Sequence, residues 1–282
     1  MPRIEKSWDN YLWYIREEFR HDAIALTKRE WSAMKLLTLL SSKDKVFVEV
    51  GVHVGSYAIR MAKLYRHIIA IEPNPFSIDC LKKNMELNKI QNITVIPVAC
   101  GDSDTEQLLG LAEGSSSLIV KSPTNIKVKV KRLDNLIDHV DVMKIDVEGY
   151  EEQVIRGGLN IINKCKPTMI IEHHDLGGYY NIAGANTRIK NMLKGYRRFS
   201  LDGVRYAYVH EEQLPKLPKE VIGMLIAYHW FTRIMKNLRE GRDWYYGLPY
   251  TWWYGMGVLD VIENLPEHIP EEPEWLEQIR ND

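Results

Sequence analysis

From residue 46 onward, short apolar runs alternate with amphipathic stretches. The runs Val46–Val50, His67–Glu72, Ile93–Ala99, Val140–Asp146 and Thr168–His173 are five to seven residues long, the length of buried strands. Between them, Ser56–Leu64, Phe76–Asn88, Tyr150–Arg156 and Asn186–Leu193 carry apolar residues at helical spacing. This alternation predicts βαβ units around a parallel sheet. Arg198–Leu201, the turn Asp202-Gly203 and Arg205–Val209 then predict an antiparallel hairpin at the sheet's end.

Three stretches leave that rhythm. In residues 1 to about 40, Trp8, Leu12, Ile15 and Phe19, then Ile24, Leu26, Trp31, Met34 and Leu37, recur at helical spacing and predict a helical cap. Between Gly101 and Arg132, the period-two pattern Ile126-Lys127-Val128-Lys129-Val130-Lys131 predicts a β-excursion with an exposed strand. After His210, prolines and aromatics become dense, which predicts an appended helical and loop element separate from the sheet. The expected organisation is a cap over 1–44, a sheet domain over 45–213 and an appendage over 214–282.

Composition narrows the function classes. A chain of 282 residues buries the core of one large domain with some length left over. Its formal net charge of −1 argues against an obligate polyanion surface, so no nucleic-acid partner is expected. Cys80, Cys100 and Cys165 are far apart and form no CxxC pair, so neither zinc nor a disulfide framework is indicated. The N-terminus has no apolar leader segment, and a cytoplasmic location is the expectation. The apolar stretch Val221–Phe231 is too short to span a bilayer, though long enough for peripheral contact with one.

The chemistry begins where the first apolar run ends. Gly51-Val52-His53-Val54-Gly55-Ser56 opens a helix, and Glu72 closes the next run 21 positions after Gly51, the arrangement of a nucleotide-binding fold. A dinucleotide fingerprint needs glycines where this chain has His53 and Ser56. S-adenosyl-L-methionine has a ribose for Glu72 but no pyrophosphate, so a methyl donor fits better than NAD. A dinucleotide or nucleotide-sugar oxidoreductase, and a non-catalytic binding module on the same fold, are the alternatives. Further on, the run ending at Asp146 hands over to Glu148. Carboxylates are thereby expected at the carboxyl edge of the sheet, where open α/β folds bind ligands.

Several of these segments together resemble the FkbM-type methyltransferases: Glu49-x-Gly51-x-x-x-Gly55, Glu72-Pro73-Asn74, Val98-Ala99-Cys100-Gly101-Asp102, and Lys144-Ile145-Asp146-Val147-Glu148-Gly149 followed by Glu172-His173. The resemblance runs from about Val46 to His210. It implies an α/β, Rossmann-like class I fold with seven strands, the last antiparallel, helices on both faces, and S-adenosylmethionine-dependent O-methylation of a small-molecule or glycan hydroxyl. The family's loop more often reads D-x-G-A-N-x-G, where this chain has Glu49 and His53.

Carried over by position, the resemblance puts Glu49, the amides of Gly51 to Gly55, His53 and Ser56 around the methionine half of the donor. Glu72, Pro73 and Asn74 fall at the ribose, and Ala99, Cys100 and Asp102 beside the adenine. Transfer needs in-line positioning and a base, for which Asp146, Glu148 and His173 are the candidates. Asp146, Glu172 and His173 also resemble the metal site of catechol-type O-methyltransferases, which makes Mg²⁺ or Mn²⁺ a further expectation. The aromatic cluster Trp244–Tyr254 is expected to shape the acceptor site. The helix before it is expected to cover the sheet or join a second copy in a homodimer.

Overall fold

The structure, a computed structural model, describes residues 2–16, 25–26, 30–111, 116–119, 122–174 and 184–240, with side chains as far as residue 229. Its first element corrects the expected helical cap. β1 (Arg3–Lys6) pairs antiparallel with β2 (Leu12–Ile15), and α1 (Trp31–Leu40) follows. Trp13 and Ile15 are buried two residues apart, which is strand periodicity. The outer edge of β2 is satisfied by side chains of the helix α3 (Pro75–Leu87) and its cap. Leu12 N donates to Asn88 Oδ1 at 2.9 Å, Tyr14 N donates to Asn84 Oδ1 at 2.7 Å, and Asn88 Nδ2 donates to Leu12 O at 2.7 Å. Two asparagines one helical turn apart thus answer the backbone groups that an edge strand leaves open.

The main sheet is built from β3 (Val46–Val50), β4 (His67–Ile71), β5 (Ile93–Ile96), β9 (Val142–Ile145), β10 (Thr168–Glu172), β11 (Tyr196–Ser200) and β12 (Arg205–His210). Its order is β11-β12-β10-β9-β3-β4-β5, with β12 antiparallel to both neighbours and the remaining ladders parallel. Each central strand is apolar on both faces because helices cover both. On β3, Val46, Val48 and Val50 join one core, with α4 (Glu151–Gly157), α5 (Leu159–Cys165) and α6 (Ala185–Met192). Phe47 joins the other, with α1, the short α2 (Ala58–Met61), α3 and the hairpin. Strand order reverses between β3 and β9, and a crevice opens there at the carboxyl ends.

Two further departures have local causes. The run Ile93–Ala99 divides at Pro97, which has no N–H for the ladder. Beyond it, β6 (Ala99–Gly101) enters a separate sheet of order β6-β8-β7 with β7 (Thr105–Leu111) and β8 (Thr124–Arg132). On β8, Val128 and Val130 are buried while Lys127 and Lys129 face out, so the expected exposed strand has one covered face. The expected appendage opens with α7 (Lys219–Glu240), which packs on the sheet instead of standing apart: Val221, Met224, Leu225 and Tyr228 share a core with α1 and Phe199. No helix among the described residues is long and apolar enough to cross a membrane. The cluster Trp244–Tyr254 lies outside the described residues.

Candidate active site

The loop after β3 is closed by a contact that only glycine permits. Gly51 has φ +85°, and a Cβ there would lie 1.7 Å from the Asp146 carbonyl oxygen. Gly55, at φ +92°, would drive a Cβ to 2.5 Å from Leu81 Cδ1. Between them His53 also takes a left-handed backbone, φ 52°, and its N–H donates to Glu72 Oε2 at 2.8 Å. Asn74 N donates to Glu72 Oε1 at 3.0 Å, while the Asn74 side chain caps α3 by accepting from Phe76 N.

This geometry revises the expected use of the loop amides. Gly51 N donates to Ile71 O at 2.9 Å, Gly55 N to Val52 O at 3.0 Å, and the amides of His53 and Val52 go to Glu72. The amides of Gly51, Val52 and His53 therefore tie the loop to the second strand, and that of Gly55 closes the loop on Val52. Burial pushes the Glu72 carboxyl above its ordinary range, against the pull of its amide donors. A carboxylate has about four acceptor positions, so a position remains for a ligand hydroxyl.

Glu49 is the converse case. It is 1% exposed, and among the described residues its Oε2 has no hydrogen-bond partner, although the residue lines the cavity. Burial pushes its carboxyl up to about 8, only partly offset by the ammonium of Lys144, its register partner on β9. An unanswered buried carboxylate oxygen beside a glycine cradle is what the ammonium of an amino-acid-bearing ligand would satisfy.

The strand ends of β9 and β10 converge on the same opening. Lys144 Nζ lies 2.8 Å from Asp146 Oδ2 and 4.6 Å from the Tyr57 ring centroid. Burial alone would raise Asp146, but the Lys144 ammonium and the neighbouring His174 hold its carboxyl well below the usual range. Glu172 is clasped by Arg205, with Nε at 3.0 Å from Oε2 and Nη2 at 3.2 Å from Oε1. Burial and the Asp146 charge nevertheless push Glu172 up to about 8. Arg205 is shared, reaching Glu30 and Asp202 at 2.8 Å each.

His173 is not part of this group. β10 alternates its side chains, so Glu172 faces the cavity and His173 the opposite side of the sheet. There it is 3% exposed, with Nε2 2.9 Å from the Tyr208 hydroxyl and its ring edge-on to Tyr206. Burial pushes it down to about 3, leaving it a neutral structural residue. Its neighbour takes the expected place. His174 Nδ1 lies 2.7 Å from Glu151 Oε1, and its Nε2 lies 3.3 Å from Glu148 Oε2, 3.8 Å from Asp146 Oδ1 and 4.0 Å from Glu172 Oε1. Burial works against its charge, but the Glu151 hydrogen bond and the surrounding carboxylates outweigh burial and raise it to about 10.

Asp146, Glu148 and His174 present ligand atoms within 4.8 Å of one another, replacing the expected metal set of Asp146, Glu172 and His173. These are residue types that hold divalent ions, but with no ion bound the surrounding carboxylates keep the His174 imidazole charged, so an ion would have to displace its proton. Asp146 already answers an ammonium. His174 and Lys144 supply the positive charge that a metal would bring.

The cavity wall includes Glu49, Gly51, His53, Ser56, Glu72, Pro73, Ala99, Cys100, Asp146, Glu148 and Glu172 from the expected set. Gly55 and Asn74 are not among its lining residues. Asp102 does not reach it: it sits exposed in the turn after β6, where its carboxylate accepts from Ser103 Oγ at 3.3 Å. Sequence reasoning missed Glu30, Trp8, Trp31, Tyr57 and Arg205. Four come from segments next to α1, the hairpin and α2, and the fifth from the antiparallel strand.

A seven-stranded sheet in this order, with its carboxyl-edge acids around a glycine loop, is the class I methyltransferase fold. Residues 49–198 match the Methyltransferase FkbM domain, and the chain belongs to that family. Methyltransferase 1 of Beauveria bassiana is 26% identical over 40% of this chain and 58% of its own length. The hexuronic acid methyltransferase AglP of Haloferax volcanii is 26% identical over 58% of this chain and 66% of its own. The chain thus spans about three fifths to two thirds of these curated relatives. A solved methyltransferase FkbM from Methylobacillus flagellatus aligns with 60% of this chain and 44% of its own, with TM-score 0.43 and 18% identity. The chain is thus a member of a methyltransferase family.

Proposed function

We propose that the chain is an S-adenosylmethionine-dependent O-methyltransferase acting on the hydroxyl of a sugar or glycan unit. The observation that carries the donor assignment is the buried, unanswered Oε2 of Glu49, opening into the same cavity as Glu72 and Asp146. The name of the hexuronic acid relative favours a sugar acceptor. When bound, S-adenosylmethionine supplies an electrophilic sulfonium methyl. Glu49 would hold its ammonium, Glu72 its ribose, and Ala99 and Cys100 the adenine edge.

Asp146, kept ionised by Lys144, accepts the hydrogen bond of the acceptor hydroxyl and aligns its oxygen. Glu172, whose carboxyl sits at about 8, is matched to take the hydroxyl proton when the methyl would pass from the sulfonium sulfur to the acceptor oxygen, leaving the donor as the thioether. The peripheral carboxylates and His174 keep that pair in place.

Two measurements test the donor half. Glu72→Ala removes charge-assisted hydrogen bonds and should weaken S-adenosylmethionine binding by about 1.5–3 kcal/mol. Calorimetry giving an unchanged Kd, or NAD bound in its place, would overturn the assignment. The second test is pH. Glu49 is neutral below about 8, and a ligand ammonium favours its ionised form, so binding should tighten as pH rises from 6 toward 8. Above that, the donor's own α-amino group, near 7.8 when unperturbed, loses its charge, and the optimum should lie near pH 8. Titrations at pH 6.5 in buffers of different ionisation enthalpy should show about one proton released, and Glu49→Gln should abolish that release.

A further inference from the structure

Beyond Glu172 and Arg205 the cavity changes character. Its far wall is built by segments that precede the main sheet: Trp8 from the turn of the β1–β2 hairpin, and Glu30, Trp31 and Met34 at the start of α1. Glu30 connects this wall to the carboxylate cluster, since Arg205 bridges it to Glu172 and the Tyr57 hydroxyl donates to it. The indoles of Trp8 and Trp31 lie 6.1 Å apart at 59°, forming an angled corner rather than a stack. Trp8 is 45% exposed, unusual for the largest apolar side chain. The Trp31 indole Nε1 is buried with no hydrogen-bond partner among the described residues, and Trp31 lines the cavity.

An aromatic face bordered by a fixed N–H donor matches a pyranose ring. The sugar's C–H-rich face packs on the indole, and a ring hydroxyl accepts from the N–H. Charge then selects among sugars. Six acidic side chains line the cavity, Glu30, Glu49, Glu72, Asp146, Glu148 and Glu172, against two cationic side chains, Arg60 and Lys144. Both cations are engaged. Arg60 is held by Asp9 and by the carbonyls of Ser56 and Ala25, and Lys144 by Asp146. Arg205 is divided among Glu30, Glu172 and Asp202. Among the described residues, no lining cation remains to answer a ligand carboxylate, and an unanswered buried carboxylate is strongly unfavourable.

We infer that the acceptor is an uncharged hexopyranoside seated on the Trp8–Trp31 corner, with a ring hydroxyl toward Trp31 Nε1, and not a hexuronic acid. The inference rests on the donor reading above, and the two fail differently. Methyl glucopyranoside, methyl galactopyranoside and methyl mannopyranoside are tested against the corresponding methyl hexuronates, with release of S-adenosylhomocysteine as the readout. The neutral glycosides should show kcat/KM roughly tenfold or more above the hexuronates. Trp8→Ala should raise the acceptor KM roughly fivefold, and Trp31→Phe, which keeps a ring but removes the N–H, should do the same. Both variants should leave the S-adenosylmethionine Kd within about twofold. Hexuronates preferred, no neutral hexoside turned over by donor-bound protein, or an unchanged acceptor KM in both variants would each overturn the inference alone. Absence of donor binding in the unmodified chain would overturn the reading beneath it.

Discussion

Gly51→Ala should abolish donor binding and lower the melting temperature by about 10 °C or more. A Cβ at this position would stand 1.7 Å from the Asp146 carbonyl oxygen and 2.8 Å from its carbonyl carbon. Both atoms are backbone, so no side-chain rotamer relieves the overlap. The ends of β3 and β9 would have to separate, carrying Glu49 and Asp146 apart. The left-handed backbone adds a cost of about 1–3 kcal/mol for any residue with a Cβ. A control separates the two effects. Gly184 also has a positive φ, +80°, yet among the described residues a Cβ there meets only a terminal guanidinium nitrogen of Arg188, at 3.1 Å. Gly184→Ala should therefore cost only about 1 kcal/mol, leaving donor affinity intact. Thermal unfolding and calorimetry on both variants decide the matter. A Gly51→Ala chain that melts and binds like the unmodified one would show that the strand ends do not need to touch.

The parts legible in the sequence are those whose signal is local. β3, β4, β9 and β10 are continuous apolar runs because both faces are covered, and the reversal of strand order is announced by Gly51 and Glu72. The N-terminal hairpin is hidden for the opposite reason. Trp8, Leu12 and Ile15 fit a helical stripe, and what decides for a strand is the pair Asn84 and Asn88, more than sixty residues away in the chain. His173 and His174 illustrate a finer limit. Adjacent residues at a strand end differ only in phase, and the phase becomes visible once Glu49, Lys144 and Glu172 are seen on one face across neighbouring strands. The amides of His53 and Asn74 carry no sign in the sequence of their destination, because it is the fold that brings them to a buried acid at the second strand end. Trp31 and Glu30 carry no motif at all. They become site residues only because α1 packs over the crevice.

Asp146→Asn should reduce kcat by about a hundredfold or more while the protein stays folded, the range expected for loss of a positioned carboxylate. The asparagine still offers Lys144 an amide oxygen, so the buried ammonium keeps a hydrogen-bond partner. A structural role alone would give the same loss, so pH supplies the discriminating readout. Glu172 takes the proton only when ionised. Because burial and the Asp146 charge raise its carboxyl, kcat should climb with pH and level off above about 8. Removing the Asp146 charge removes one cause of that rise, so the midpoint in Asp146→Asn should move to lower pH even as the plateau falls. Glu172→Gln should leave a low rate with a flat profile, and Arg205 keeps Glu30 and Asp202 as partners, so the fold has no reason to fail. EDTA should change none of these rates, since Lys144 and the imidazolium of His174 already supply the positive charge beside Asp146. A profile flat between pH 6 and 9 in the unmodified chain would remove Glu172 from the proton path. Activity lost to EDTA and restored by Mg²⁺ or Mn²⁺ would instead assign Asp146, Glu148 and His174 to a metal, with the acceptor hydroxyl acidified by the ion.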